Sequence, residues 1–253
     1  MIQIKNNEQL ALMKLAGRIT GEAILVAREH IKEGVSTKAI DIAVHDYIVK
    51  CGARPSFLGY GGFPGSACVS VNEEIIHGIP SKDKILHEGD IVKIDVGAFY
   101  RGFHGDSANT FGVGKISKEA QALIDTTKQS FFEGAAMARH GGRVGDIGAA
   151  VSACAEARGY GVVRQYVGHG VGRDLHEDPE VPNYGTAGRG QRLYKGMVVA
   201  IEPMINMGTY NVKVLRDNWT VVTADGSLSA HYEHTVAITD GDPVFLTMVD
   251  RNA

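Results

Sequence analysis

Five residues in this chain carry chemistry that conflicts with their surroundings. Asp95 interrupts the apolar run from Ile91 to Gly97, where an ionised carboxylate is unfavourable unless it is paired or bound to a cation. Taken alone, it reads equally well as an exposed aspartate on the open face of a half-buried strand. Asp106 follows between Gly105 and Ser107, and the two aspartates are equidistant from the Tyr100–Arg101 step. A hairpin bending at Tyr100-Arg101-Gly102 would bring their side chains together. Two carboxylates that close repel unless a proton or a cation lies between them. His169 sits between Gly168 and Gly170, Glu202 between Ile201 and Pro203, and Glu233 between Tyr232 and His234, each in a strand-like or glycine-punctuated setting.

Asp95, Asp106, His169, Glu202 and Glu233 form an oxygen-rich set with one imidazole. Such a set suits hard to borderline divalent ions with open coordination positions, such as Mn, Fe(II) or Co, with Zn or Ni as alternatives. A structural zinc site would want several Cys or His instead. Acids shared between ions would hold two metals about 3.5–4 Å apart, the arrangement of hydrolases that activate a bridging water.

The elements that must position these residues are legible in outline. Apolar residues recur at helical spacing from Glu8 to Ile31, with Asn7 as the expected cap and Gly34 as the stop. A second helix is predicted over Lys38–Val49 behind Ser36-Thr37, ended by Gly52 and Pro55. Short β-branched runs follow at Ala67–Val71 and Ile91–Val96, and glycines at 97, 102, 105, 112 and 114 surround the next strand. Two more helices are predicted over Lys118–Arg139 and Asp146–Arg158, divided by Gly141-Gly142. Strands return at Val162–Val167, Met197–Ile205, Trp219–Thr223 and His231–Ile238. The order predicts an α+β fold of two similar halves, with helices packed on a largely antiparallel sheet. No Pro-rich or Ser-rich linker divides the halves, so residues 1–253 are expected to form a single domain.

Composition narrows the function classes. The 253 residues are 44% hydrophobic and 22% charged with a net charge of -3, which gives no excess of positive charge for nucleic acid as a substrate. Neither a secretory signal nor a run long enough to span a bilayer is present. Three cysteines, Cys51, Cys68 and Cys154, fit reduced thiols better than a disulfide framework, so a cytoplasmic protein with no membrane association is expected.

With these motifs in hand, the chain resembles the type I methionine aminopeptidases of the pita-bread fold, over essentially its whole length from Glu8 to Ile238. Lys93–Gly97, Gly105–Ser107, Gly168–Gly170 and Ile201–Met204 stand in order with Glu233, and the four acids and one histidine fall on the family's five metal-ligand positions. The resemblance implies that Asp106 and Glu233 bridge two ions, that Asp95 holds one of them, and that His169 with Glu202 holds the other. Glu202 would also accept the proton of the attacking water. His77, in His77-Gly-Ile-Pro80, and His176 match the family's two active-site histidines that are not ligands, with His176 donating to the developing oxyanion and His77 beside the scissile nitrogen. Family positions for the methionine pocket fall on Phe57, Tyr60, Phe63, Cys68 and Trp219. Phe57 stands where many bacterial relatives have Cys, and Gly61 where many have His, which bears on fine substrate preference. The implied reaction is removal of the N-terminal methionine from nascent proteins and peptides with a small second residue, by a ribosome-proximal monomer.

Only residues 177–201 lie between His176 and Glu202, leaving no room for the large insertion of type II enzymes. Nothing before the first helix corresponds to the zinc-binding extension of eukaryotic cytosolic relatives, so the bacterial type is expected. The competing readings are an Xaa-Pro aminopeptidase or creatinase-like enzyme, which usually carries an extra N-terminal domain, and a silent pita-bread binding module, which typically replaces ligands.

Overall fold

Asn6, one residue earlier than expected, caps the first helix. Its side chain accepts from the Gln9 backbone at 2.9 Å while the Gln9 side chain accepts from the Asn6 backbone at 2.9 Å, a reciprocal box that satisfies two otherwise unpaired donors. Asn7 is thus the first helical residue. The computed structural model describes residues 2–249. Helix α1 runs Asn7–His30, α2 Thr37–Lys50 behind the Ser36 cap, α3 Lys118–Ala136 and α4 Val144–Glu156.

Two helix ends differ from the prediction for local reasons. The predicted end of α3 at Arg139 falls three residues beyond the helix, where Arg139 folds back so that its Nε donates to the Ala136 carbonyl. Asp146 does not begin α4: its carboxylate accepts from the Arg143 backbone at 2.7 Å and so caps a helix that starts at Val144.

The two long strands Ile91–Tyr100 and Phe103–Gly112 form an antiparallel hairpin inside a nine-stranded sheet. Across that sheet the order is Arg54–Pro55, Ile91–Tyr100, Phe103–Gly112, Glu233–Ala237, Val198–Ile201, Gly168–Gly170 and Glu177–Val181, with Ala67–Val71 also on Ile91–Tyr100 and Val244–Phe245 on Glu233–Ala237. Two three-stranded sheets flank it, one built from Gly161–Val162, Met204–Asn206 and Ser229–His231, the other from Glu74–Ile76, Val212–Val214 and Val221–Thr223. All registered pairs are antiparallel, as the α+β expectation requires.

The main departure from the sequence reading lies in two predicted strands that are each broken. Met197–Ile205 splits at Glu202-Pro203 into Val198–Ile201 in the large sheet and Met204–Asn206 in a small one. His231–Ile238 splits at Tyr232 in the same manner. Of Val162–Val167 only the first residue is in a strand, and Trp219 precedes its strand, which begins at Val221. Pro203 has no N–H to offer a ladder, so the pair of chains parts there and each exchanges one sheet for another.

Each helix pair packs its own core. Ile19, Ala23, Ile40 and Val44 of α1 and α2 meet Val69, Val92, Ile94 and Val96 of the sheet, while Phe131, Ile147 and Val151 of α3 and α4 meet Val199, Ile201 and Val236. These are two helix-on-sheet layers, consistent with two halves of similar build. Helix α1 lies unusually close to the hairpin: a Cβ on Gly105 would fall 2.7 Å from the Gly17 Cα, so Gly105 needs to be glycine, while a Cβ on Gly17 would meet the Leu246 carbonyl oxygen at 2.4 Å. Thr20 Oγ1 donates to the Gly105 carbonyl at 3.2 Å, which ties the strand to the helix one residue before Asp106.

Candidate metal centre

The hairpin turns one residue later than the symmetry of its aspartates suggests. Tyr100 pairs with Phe103, and Arg101 (φ 48°) and Gly102 (φ 88°) form the two-residue bend with both φ positive. Asp95 therefore faces Ala108, and Asp106 faces Gly97. The two aspartates are diagonal neighbours on one face and not a directly opposed pair, still within mutual reach of side chains.

Register then lays out the rest. Glu233 pairs with Ala108 on the other side, so Asp95, Ala108 and Glu233 form one row across three strands with a methyl group between the two acids. Glu202 sits one step past the pair His234↔Ile201, where its strand leaves the sheet. His169 lies in Gly168–Gly170, whose neighbour in the sheet is Val198–Ile201. Polar side chains pin the backbones and leave the acids free: Thr235 Oγ1 donates to the Asp106 carbonyl at 2.8 Å, Ser107 Oγ to the Glu233 carbonyl at 2.7 Å, and Asn183 Nδ2 to the Glu202 carbonyl at 3.0 Å.

Ligating atoms of Asp106, His169 and Glu233 all lie within 4.8 Å of one another. His169 Nε2 is 3.9 Å from Asp106 Oδ2 and 3.6 Å from Glu202 Oε1. Groups bound at about 2.0–2.2 Å from one ion lie roughly 3–4 Å apart, so little movement would gather them around a cation. The protonation pattern agrees. His169 Nδ1 lies 2.9 Å from the Gly170 carbonyl, which can only accept, so Nδ1 carries the proton and the bare Nε2 faces the acids.

The acids are buried and strongly perturbed. Burial raises the Asp95 carboxyl to about 7, and burial together with neighbouring carboxylates pushes Asp106, Glu202 and Glu233 well above the ordinary range. Asp95 Oδ1 and Asp106 Oδ1 are buried and lack a hydrogen-bond partner among the described residues. Carboxylates with desolvated, unpartnered oxygens on one face fit divalent cations, and the scarcity of sulfur ligands argues against a structural zinc site. Burial holds His77 down at about 4 and His169 at about 3, so both rings are neutral near pH 7.

Beside this cluster lies a cavity of about 150 Å³ lined by all five proposed ligands, by His77 and His176, and by Phe57, Tyr60, Phe63, Cys68 and Trp219. The five candidate ligands, the two histidines and the five candidate pocket residues thus border one space, while Gly61 does not line it. Phe63 meets Trp219 edge to face at 5.2 Å between ring centres, and Phe57 packs where a Gly97 side chain would stand. Tyr60, 47% exposed, stands at the mouth. Leu175 completes the apolar wall and was missed in the sequence reading, although a lone leucine in the polar stretch Arg173–Asp178 was a usable signal. A wider cavity of about 570 Å³ shares His77, His169, His176 and Glu202 with the first and opens outward past Tyr166 and Asp174.

His231 is the second residue that the sequence reading missed as part of the site. It is 1% exposed, its Nε2 lies 3.7 Å from Glu202 Oε2, and neither ring nitrogen has a hydrogen-bond partner among the described residues. Its place two residues before Glu233 made it look like one more position of a buried strand.

The family model of metallopeptidase family M24 matches residues 11–240. The chain is 54% identical to a methionine aminopeptidase of Clostridium acetobutylicum, over 99% of this chain and 100% of that one. Among solved structures it superposes on the methionine aminopeptidase of Thermotoga maritima with a TM-score of 0.97 at 44% identity, covering 98% of this chain and 100% of the other. A prolidase from Pyrococcus furiosus is more distant, with a TM-score of 0.79 and 25% identity, and this chain covers only 66% of it. The architecture is the pita-bread fold that the sequence motifs implied. The chain belongs to metallopeptidase family M24, on its methionine aminopeptidase branch.

Proposed function

We propose that this protein removes the N-terminal methionine from newly made polypeptides whose second residue is small. The observation that carries the reading is one cavity in which an apolar pocket adjoins the carboxylate cluster. In this reading Asp95, Asp106, His169, Glu202 and Glu233 would hold two divalent ions, with Asp106 and Glu233 available to both. The ions, of Mn, Fe(II) or Co character, lower the pKa of a water and polarise the scissile carbonyl when bound.

The chain's own residues supply the rest. Phe57, Phe63, Cys68, Leu175 and Trp219 enclose the methionine side chain, whose thioether packs well against aromatic edges. Glu202 accepts the proton that the attacking water gives up. His176 donates to the carbonyl oxygen as it gains negative charge, and His77, which also lines both cavities, lies beside the scissile nitrogen. Crowding between His77, His176 and the acids favours a small second residue, and the rest of the polypeptide leaves through the wider cavity.

Among the described residues no helix is long and apolar enough to cross a membrane. We place the protein in the cytoplasm as a monomeric, single-domain enzyme working close to the ribosome, where nascent N-termini appear. The test is incubation of the metal-loaded protein with Met-Ala-Ser, Met-Pro and Ala-Pro peptides, followed by mass spectrometry. Release of methionine from the first two alone is expected. Cleavage of Ala-Pro would instead favour the proline-specific reading, for which the prolidase likeness is the supporting observation.

A further inference from the structure

His176 can stabilise an oxyanion only if a proton sits on the ring nitrogen that faces the substrate. A neutral imidazole carries one proton for two nitrogens, so something must choose. The His176 side chain makes one hydrogen bond among the described residues, between Nδ1 and the Tyr60 hydroxyl at 2.8 Å. The two rings lie 5.2 Å apart between centres at a tilt of 38°.

Between a phenol and a neutral imidazole, the phenol is the better donor and the ring nitrogen the better acceptor. The Tyr60 O–H therefore donates to Nδ1 and leaves the ring proton on Nε2. We propose that Tyr60 is a positioning residue for His176, fixing the Nε2–H tautomer so that this proton is aimed at the carbonyl oxygen of the scissile bond. This rests on the aminopeptidase reading given above. No proton needs to change hands: the hydroxyl, the ring and the developing oxyanion form one chain of donors pointing the same way.

The backbone is built to hold Tyr60 there. Gly59 (φ 82°), Gly61 (φ 56°) and Gly62 (φ 92°) fold the segment into a single tight turn, closed by Tyr60 N to the Phe57 carbonyl at 2.9 Å and Phe63 N to the Tyr60 carbonyl at 2.9 Å. A Cβ on Gly61 would lie 3.3 Å from the Trp219 ring, so glycine lets the turn settle against the pocket wall. A side chain nearly half exposed is a poor apolar wall, whereas its hydroxyl meets the one nitrogen whose state matters.

The test compares wild type with Tyr60→Phe, which keeps the ring and removes the hydroxyl. We expect kcat on Met-Ala-Ser to fall about tenfold or more, with KM within about twofold and metal content unchanged. Tyr60→Leu should lose as much kcat, again with KM within about twofold. Nitrogen-15 NMR of zinc-loaded protein labelled on histidine should show His176 protonated at Nε2 in wild type and a mixture of tautomers in Tyr60→Phe. A Tyr60→Phe kcat within about twofold of wild type, or a wild-type His176 protonated at Nδ1, would overturn the proposal. If wild type releases no methionine at all, the aminopeptidase reading fails, while the NMR measurement still decides the tautomer.

Discussion

The carboxylate cluster and the apolar pocket share one cavity but are built in opposite ways. Asp95, Asp106 and Glu233 stand on paired strands at positions fixed by register, Glu202 follows one step past a strand end, and the backbones of Asp106, Glu233 and Glu202 are held by Thr235, Ser107 and Asn183. The pocket is assembled from separate segments: the turn around residues 57–63, Cys68 at a strand, Leu175 in a loop and Trp219 before a strand. A metal site tolerates errors of only tenths of an ångström, so it is mounted on the most constrained elements. A pocket for a flexible thioether needs volume and apolar surface, which loops can provide.

That contrast breaks first at Asp106. Asp106→Asn keeps the shape and loses the charge, and kcat should fall below about a tenth of wild type with the fold retained by circular dichroism. A variant working above that level would remove Asp106 from the mechanism. His176→Ala comes next, with kcat lower by ~10²–10³ and metal content unchanged by elemental analysis. Loss of metal in that variant would reverse the roles given to the two loop histidines.

Trp219→Ala should show the milder behaviour of the loop-built region. We expect kcat/KM on Met-Ala-Ser to drop by roughly tenfold, mainly through KM, since part of a hydrophobic wall carries about 1–3 kcal/mol. An equal loss in kcat with KM unchanged would mean that the indole acts on the reacting centre.

The smallest effect is on stability without metal, and its sign can be worked out. Asp95, raised by burial to about 7, and Asp106, Glu202 and Glu233, raised by burial and one another, contribute stability that is fully present below their unfolded pKa of about 4. That contribution is lost as pH rises through the folded pKa. The buried His77, His169, His231 and His234, lowered to about 3–4, act in the opposite sense, adding stability as pH rises towards about 6.5. A single melting curve mixes the two, but the histidines are common to wild type and Asp106→Asn. The melting temperature of metal-free Asp106→Asn minus that of metal-free wild type should therefore grow from pH 5.5 to pH 7.5. A difference that stays constant would show that these acids do not repel one another in the fold.

Much of the site was legible before any fold was known, because an acid inside a β-branched run is anomalous wherever it occurs. Asp95, Glu202 and Glu233 announce themselves this way, and Asp106 and His169 follow from their glycine-rich settings. Helices were legible to within a few residues from period and caps, as Ser36 shows, although the true caps at Asn6 and the Arg143–Asp146 pair came out only in backbone detail.

The sequence by itself determined which side chains could hold a cation, the α+β class and the two helix–sheet halves, since residue chemistry and hydrophobic period are properties of short segments. Tertiary structure alone decided that the hairpin turns at Arg101-Gly102, that Ala108 spaces Asp95 from Glu233, and that two apparent strands part at Glu202 and Tyr232 to change sheets. It also decided that Tyr60 meets His176 across 116 positions of sequence. Register slips by a residue without changing composition, and partners that far apart are chosen by packing, which no local pattern records.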